Sequence, residues 1–273
     1  MIDLIKPSGL PIHWVSAKER IVCGENMEPA DCQPAVRYRI DMQGILYDPE
    51  AKELNELYYM YRGLSLADDS SSIKAAGLRY DITAIRPGTI SGEFVKTAGH
   101  YHPEKPGTGF TWPEVYEVLY GRAHYLLQRH RPDRPDQLES VFLITARPGD
   151  KVLIPSGFGH ITINPGDDFL IMSNWVAGGF SSLYEPIKQM KGGAYFELKI
   201  NEAPEFIPNS NYHQLPPLKR CPVTPVEEFK LITGLPLYSV FKENNEVFRF
   251  LTHPEEYAEV FNNYLHVLTG SLK

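Results

Sequence analysis

Thr97-Ala98-Gly99-His100-Tyr101-His102, followed by Pro113-Glu114-Val115-Tyr116 and Gly121, is the stretch on which the fold is read. It is answered downstream by Gly149-Asp150-Lys151-Val152-Leu153-Ile154-Pro155-Ser156-Gly157-Phe158-Gly159-His160, ending at Asn164. Residues at i and i+2 of a strand point to one face, so His100 and His102 aim into a common space and Tyr101 faces away. Glu114 and His160 each open a further strand candidate. Three imidazoles and one carboxylate converging from separate strands make a preorganised metal site. That donor set suits Fe, Mn, Ni, Co or Zn better than Mg or Ca. Five other histidines, His124, His130, His213, His253 and His266, read as ordinary polar or core residues.

The chain around this stretch is broken often, by 23 prolines and 21 glycines, which suits short strands joined by turns. Strands are expected at 78–85, 93–97, 115–119, 124–128, 140–145, 151–154, 160–164, 169–175 and 194–199. This order implies an all-β sandwich or barrel, not βαβ units. Residues 1–35 read as an arm lying over the barrel or over a partner. Residues 49–62 read as a helix, with Asp48 as N-cap, Pro49 at the first position and Leu54, Leu57, Tyr58 and Tyr61 on one face. Residues 200–216 read as a linker. Beyond it, 237–241 and 247–251 suggest a hairpin around residues 243–245, and Pro254 opens a helix carrying Tyr257, Phe261, Tyr264 and Leu268 on one side. The expected domains are thus an arm (1–35), a barrel domain (36–199) and an α+β extension (200–273).

A hydrophobic share of 42% supplies a sizeable core, and a net charge of -7 without basic runs argues against nucleic acid and acidic membranes as partners. The three cysteines, Cys23, Cys32 and Cys221, share no metal or redox spacing and are expected as free thiols in a reducing cytosol. No signal-peptide or membrane-spanning segment is read, so the expected location is cytoplasmic.

These residues also carry a family resemblance. Gly149-x5-Pro155-x-Gly157-x2-His160-x3-Asn164 matches the second cupin motif at every specified position, and His100-x-His102 … Glu114-x6-Gly121 resembles the first. Phe94 stands where that motif has its early glycine, and residues 103–109 lengthen the gap before Glu114. Glu117 competes as a ligand, but the spacing to Gly121 selects Glu114. The implied fold is a cupin double-stranded β-helix, a jelly-roll barrel with a few peripheral helices.

Over residues 36–198 the chain most resembles the archaeal-type, metal-dependent glucose-6-phosphate isomerases. Segments 36–42, 81–88, 92–102 and 113–116 carry this likeness. The resemblance implies that His100, His102, Glu114 and His160 bind one divalent metal (Fe, Mn, Ni or Zn). It implies that Thr83, Thr97 and Gly99 hold the sugar's phosphate, that Glu114 is the catalytic base and that Tyr116 lies near the substrate. Lys96 and Arg86 could add charge there, or be solvated strand ends. The family's His-Asp-Tyr stretch is replaced by Gly178-Gly179-Phe180-Ser181-Ser182-Leu183-Tyr184. The expected activity is interconversion of glucose 6-phosphate and fructose 6-phosphate in glycolysis and gluconeogenesis, by a homodimer. The alternatives are a related cupin enzyme on another sugar phosphate, an iron dioxygenase, or a non-catalytic sugar-binding cupin.

Overall fold

The computed structural model describes residues 1–29 and 32–270. A six-stranded antiparallel sheet orders its strands Lys151–Ile154, Glu114–Tyr120, Leu170–Ala177, Leu78–Ile85, Glu56–Tyr61 and Ala35–Tyr38. A second sheet orders Gly159–Ile163, Ala123–Arg131, Arg134–Ala146 and Lys219–Cys221. Their inner faces meet where the Tyr116 and Tyr125 rings lie 5.4 Å apart and the Tyr125 hydroxyl reaches the Met172 sulfur. The result is the all-β cupin barrel with peripheral helices. Every expected strand between 78 and 199 appears, with Leu78–Ile85 and Lys151–Ile154 at the expected bounds.

Alternation sets what each strand gives to each face. Along Leu78–Ile85, Arg79 and Thr83 line the interior, while Tyr80 faces outward against Trp175 and Tyr238. The expected helix over 49–62 is instead a strand, Glu56–Tyr61, paired with residues on both sides. Its aromatic run Leu57-Tyr58-Tyr59-Met60-Tyr61 fits a pleated surface with both faces covered. Such a run has no period that separates helix from strand. Tyr58 and Met60 face the cavity. Tyr59 packs near Trp14 and Phe169, and the Tyr61 hydroxyl accepts from the Ile21 N–H.

That outer cover comes from the N-terminal residues, which fold as a three-stranded sheet, Ile2–Asp3, Ile12–Val15 and Arg20–Cys23, lying over the barrel. Cys23 and Cys32 are joined in a disulfide, against the expectation of free thiols; Cys221 remains free and buried. The expected linker also carries a strand, Ala203–Pro208, which pairs with Tyr195–Ile200.

The C-terminal segment departs most. The expected hairpin is two short helices, Leu237–Glu243 and Arg249–Thr252, with a 3-10 turn between them. Leu237, Tyr238, Val240 and Phe241 are buried, at helical spacing. Phe241 stacks on Trp175 at 4.7 Å, and Tyr238 and Phe248 complete the cover over that outer face. The last helix, Ala258–Thr269, buries Phe261, Tyr264 and Leu268 as its apolar stripe requires, with Tyr257 half-buried just before it. No helix among the described residues is long and apolar enough to cross a membrane.

Candidate metal centre

His100 and His160 are pinned to each other by the backbone before their side chains are considered. The His100 N–H donates to the His160 carbonyl at 3.2 Å, and the His160 N–H returns the bond at 3.0 Å. Gly99 makes that approach possible. It has φ +72°, and a Cβ on it would lie 2.4 Å from Ile161 Cγ1, a contact no side chain tolerates. Tyr101 turns away, its hydroxyl accepting from Gln128 Nε2 at 3.0 Å. The inserted loop is tied down: the Thr111 N–H donates to Ser156 Oγ and the Gly157 N–H to Thr111 Oγ1, each at 2.7 Å.

The four donor atoms of His100, His102, Glu114 and His160 all lie within 4.8 Å of one another. His100 Nε2 stands 3.1 Å from His102 Nε2, and Glu114 Oε2 lies 3.2 Å from His160 Nε2 and 3.4 Å from His102 Nε2. Ligand bonds of about 2.1 Å give donor–donor edges of roughly 3.0–3.4 Å around one ion, so the spacing fits a metal. Two further observations agree. Glu114 Oε2 is buried with no hydrogen-bond partner among the described residues, a costly state unless something positive sits before it. His102 Nδ1 lies 2.8 Å from the Trp112 carbonyl, which only accepts. Nδ1 therefore carries the hydrogen and Nε2 presents its lone pair to the centre.

The protonation states suit ligation. Burial pushes His102 down to about 4, opposed by Glu114 and assisted by His160. Burial, then His160 and His102, holds His100 well below the usual imidazole range. Burial would raise the Glu114 carboxyl, but His160 and His102 hold it below its ordinary value. Neutral imidazoles and an ionised carboxylate are the forms that bind metal.

Around this centre, Thr83, Thr97, Gly99 and Tyr116 line the same cavity. The Tyr116 hydroxyl lies 3.1 Å from His160 Nε2. Thr97 Oγ1 accepts from the Thr162 N–H at 2.9 Å. Glu117 points the other way, to Lys151 at 3.0 Å and the Leu237 N–H at 2.7 Å. Lys96 fits neither reading, and Arg86 is a partly exposed strand end away from the cavity lining. Lys96 is buried, bonded to the Glu93 carboxylate and to the Ile45 carbonyl at 2.9 Å, and Arg86 pairs with Glu19.

The cations that do line the cavity, Arg62 and Arg79, were missed. Their signal was available: Arg79 stands two and four residues from Asp81 and Thr83 on one strand, hence on one face. Arg37 and Lys188 line an adjoining cavity that shares Gly99 and Tyr184. Phe180, within the 178–184 stretch, lies 4.6 Å from His102 and parallel to Trp112 at 5.9 Å.

Glucose-6-phosphate isomerase of Thermococcus litoralis is 30% identical over 142 residues, covering 50% of this chain and 66% of that one. The isomerase of Pyrococcus furiosus is 31% identical over 137 residues, covering 49% of this chain and 65% of that one. The matched stretch thus spans just under two thirds of these relatives' own length. Among solved structures, an oxalate oxidase overlaps 49% of this chain and 57% of its own with a TM-score of 0.36 and 15% identity; a likeness that slight carries no argument. The model of the family described as Glucose-6-phosphate isomerase (GPI) matches residues 36–214. With well over half of its length inside that match, the chain belongs to the glucose-6-phosphate isomerase family.

Proposed function

We propose that this chain is a metal-dependent aldose–ketose isomerase interconverting glucose 6-phosphate and fructose 6-phosphate, as in glycolysis and gluconeogenesis. The observation that carries this reading is the quartet of His100, His102, Glu114 and His160 donors within 4.8 Å, in a cavity that also holds Thr83, Thr97 and Gly99. A divalent ion held by that quartet, Fe, Mn, Ni or Zn, would supply Lewis acidity to the developing enediolate.

The chain's own residues do the rest. The Thr83 and Thr97 hydroxyls bond the phosphate beside Gly99, with Arg37 and Lys188 adding positive charge from the adjoining cavity. Glu114 takes the proton from C2 of the open aldose. The released electron pair forms the C1=C2 double bond as the C1 oxygen gains a proton. Returning the carbon-bound proton to C1, while the C2 hydroxyl gives up its own proton to become the carbonyl and so balances the proton gained by O1, gives the ketose. Tyr116, whose hydroxyl lies 3.1 Å from His160 Nε2, orients that ring beside the carboxylate. Buried walls exclude water from the carbanion.

A second reading, another sugar phosphate as substrate, is favoured by one observation: Phe180 and Trp112 form an apolar wall beside His102. A coupled assay on fructose 6-phosphate, before and after chelation, tests the first reading. Turnover that vanishes with chelator and returns with metal is expected. No turnover by fully metal-loaded protein rejects it, and activity on a different ketose phosphate then favours the second.

The proposed setting is cytoplasmic, where the Cys23–Cys32 bond would meet reducing conditions; thiol counting on protein alkylated at lysis tests this. A homodimer remains the proposed assembly. It must use a face other than the one Tyr238, Phe241 and Phe248 cover, and light scattering at a monomer mass would reject it.

A further inference from the structure

Arg62 and Arg79 are cations in the cavity that the isomerisation does not use. Both are tied to one carboxylate. Arg62 Nη1 lies 2.9 Å and Arg79 Nη2 2.8 Å from Asp81 Oδ2, and the Gly63 N–H donates to Oδ1 at 2.9 Å. Two guanidiniums against one carboxylate leave one net positive charge. The shared carboxylate also holds both forks still. The Arg62 side chain is 47% exposed and that of Arg79 32%. An arginine has five N–H groups, and Arg79 spends Nε and Nη2 on Asp81, which leaves Nη1 for a ligand.

The strand register says which end of the cavity this is. Arg79 pairs with Val176, and Val176 pairs with Glu114. Arg79 and Glu114 therefore share a row two strands apart, about 10 Å between backbones. Thr83 lies four residues along the same strand, roughly 13 Å from Arg79, in the row of Met172 and Val118. With the phosphate at Thr83 and the reacting carbons at the quartet, C1 is the end that faces Arg62 and Arg79. Arg37 and Lys188 line the adjoining cavity at the proposed phosphate end. A monophosphate leaves the cationic pair at C1 unmatched.

We propose that Arg62 and Arg79 form a second anion subsite, so that the cavity takes a six-carbon sugar bisphosphate with phosphates on C1 and C6. The orientation rests on the isomerase reading above. Such a ligand binds across both ends and competes with the monophosphate. Its C1 oxygen is esterified and cannot become a carbonyl, so it is not converted to an aldose. The site is thereby restrained by the doubly phosphorylated sugar.

The test is calorimetric binding of fructose 1,6-bisphosphate and fructose 6-phosphate to the metal-loaded full chain. The bisphosphate is expected to bind tenfold or more tighter, about the worth of one charge-assisted hydrogen bond. In Arg62→Gln the ratio of the two affinities is expected to fall towards one, and Arg62→Lys to restore part of it. Equal affinities in the unaltered protein, or a loss of both ligands by one factor in Arg62→Gln, would overturn the proposal. A preserved tenfold ratio in protein with no isomerase turnover would support the subsite while rejecting the isomerase reading.

Discussion

His102 is fixed for its role before any ion arrives, because its Nδ1–H is spent on the Trp112 carbonyl and only Nε2 faces the centre. Burial pushes its pKa from 6.5 to about 4, so the ring stays neutral through the neutral range. The unfolded chain takes up the proton first as pH falls. The stability linked to this ring is therefore present above about 6.5 and is lost towards 4. Proton competition for the ligand is set by the folded ring alone and begins only as pH nears its value of about 4. Metal affinity measured by calorimetry is expected to change little between pH 8 and pH 6 and to drop as pH approaches 4; a decline beginning at 6.5, as for an exposed imidazole, would contradict this. At this scale the convergence of His100, His102, Glu114 and His160 was legible, because spacing on strands and the glycines between them constrain where side chains point. Lys96 was not: a lysine beside a site reads as a phosphate partner, yet a carboxylate three residues away, Glu93, captures it.

The loop that carries His100 depends on a close passage between two backbones. At Gly99 an added methyl meets Ile161 Cγ1 at 2.4 Å in a backbone with φ +72°. Gly99→Ala is expected to cost about 1–3 kcal/mol in denaturant unfolding and, by moving His100, to weaken metal binding by tenfold or more. Unchanged affinity with unchanged stability would mean that the passage is not tight. Strands were readable where alternation or β-branched runs dominate, as at Leu78–Ile85. They were misread where apolar residues occupy both faces. Leu57-Tyr58-Tyr59-Met60-Tyr61 is covered on one side by the N-terminal sheet and faces the cavity on the other, and only tertiary contacts decide between its two readings.

On the scale of the whole molecule, the barrel and the C-terminal segment are one packed body. Glu117 is the joint. Its carboxylate accepts from the Leu237 N–H at the start of a tail helix and pairs with buried Lys151 inside the barrel. Glu117→Ala leaves the buried Lys151 ammonium with the Gly149 carbonyl but no counter-charge, and strands the Leu237 N–H. A loss of about 3–5 kcal/mol in urea unfolding is expected, with faster proteolysis beyond residue 236. A loss under 1 kcal/mol would mean the tail docks through its aromatic rings alone. The tail's own sequence carried no sign of this cover, since Tyr238 and Phe241 acquire a purpose only opposite Trp175.

The central claim is that His100, His102, Glu114 and His160 hold a single divalent ion. Elemental analysis of the purified chain after reconstitution and gel filtration, beside Glu114→Gln and His160→Ala, measures it directly. About one transition-metal ion per chain is expected, falling to a small fraction in both variants while their folds persist by circular dichroism. Metal-free native protein, or variants that retain the ion in full, would contradict the account.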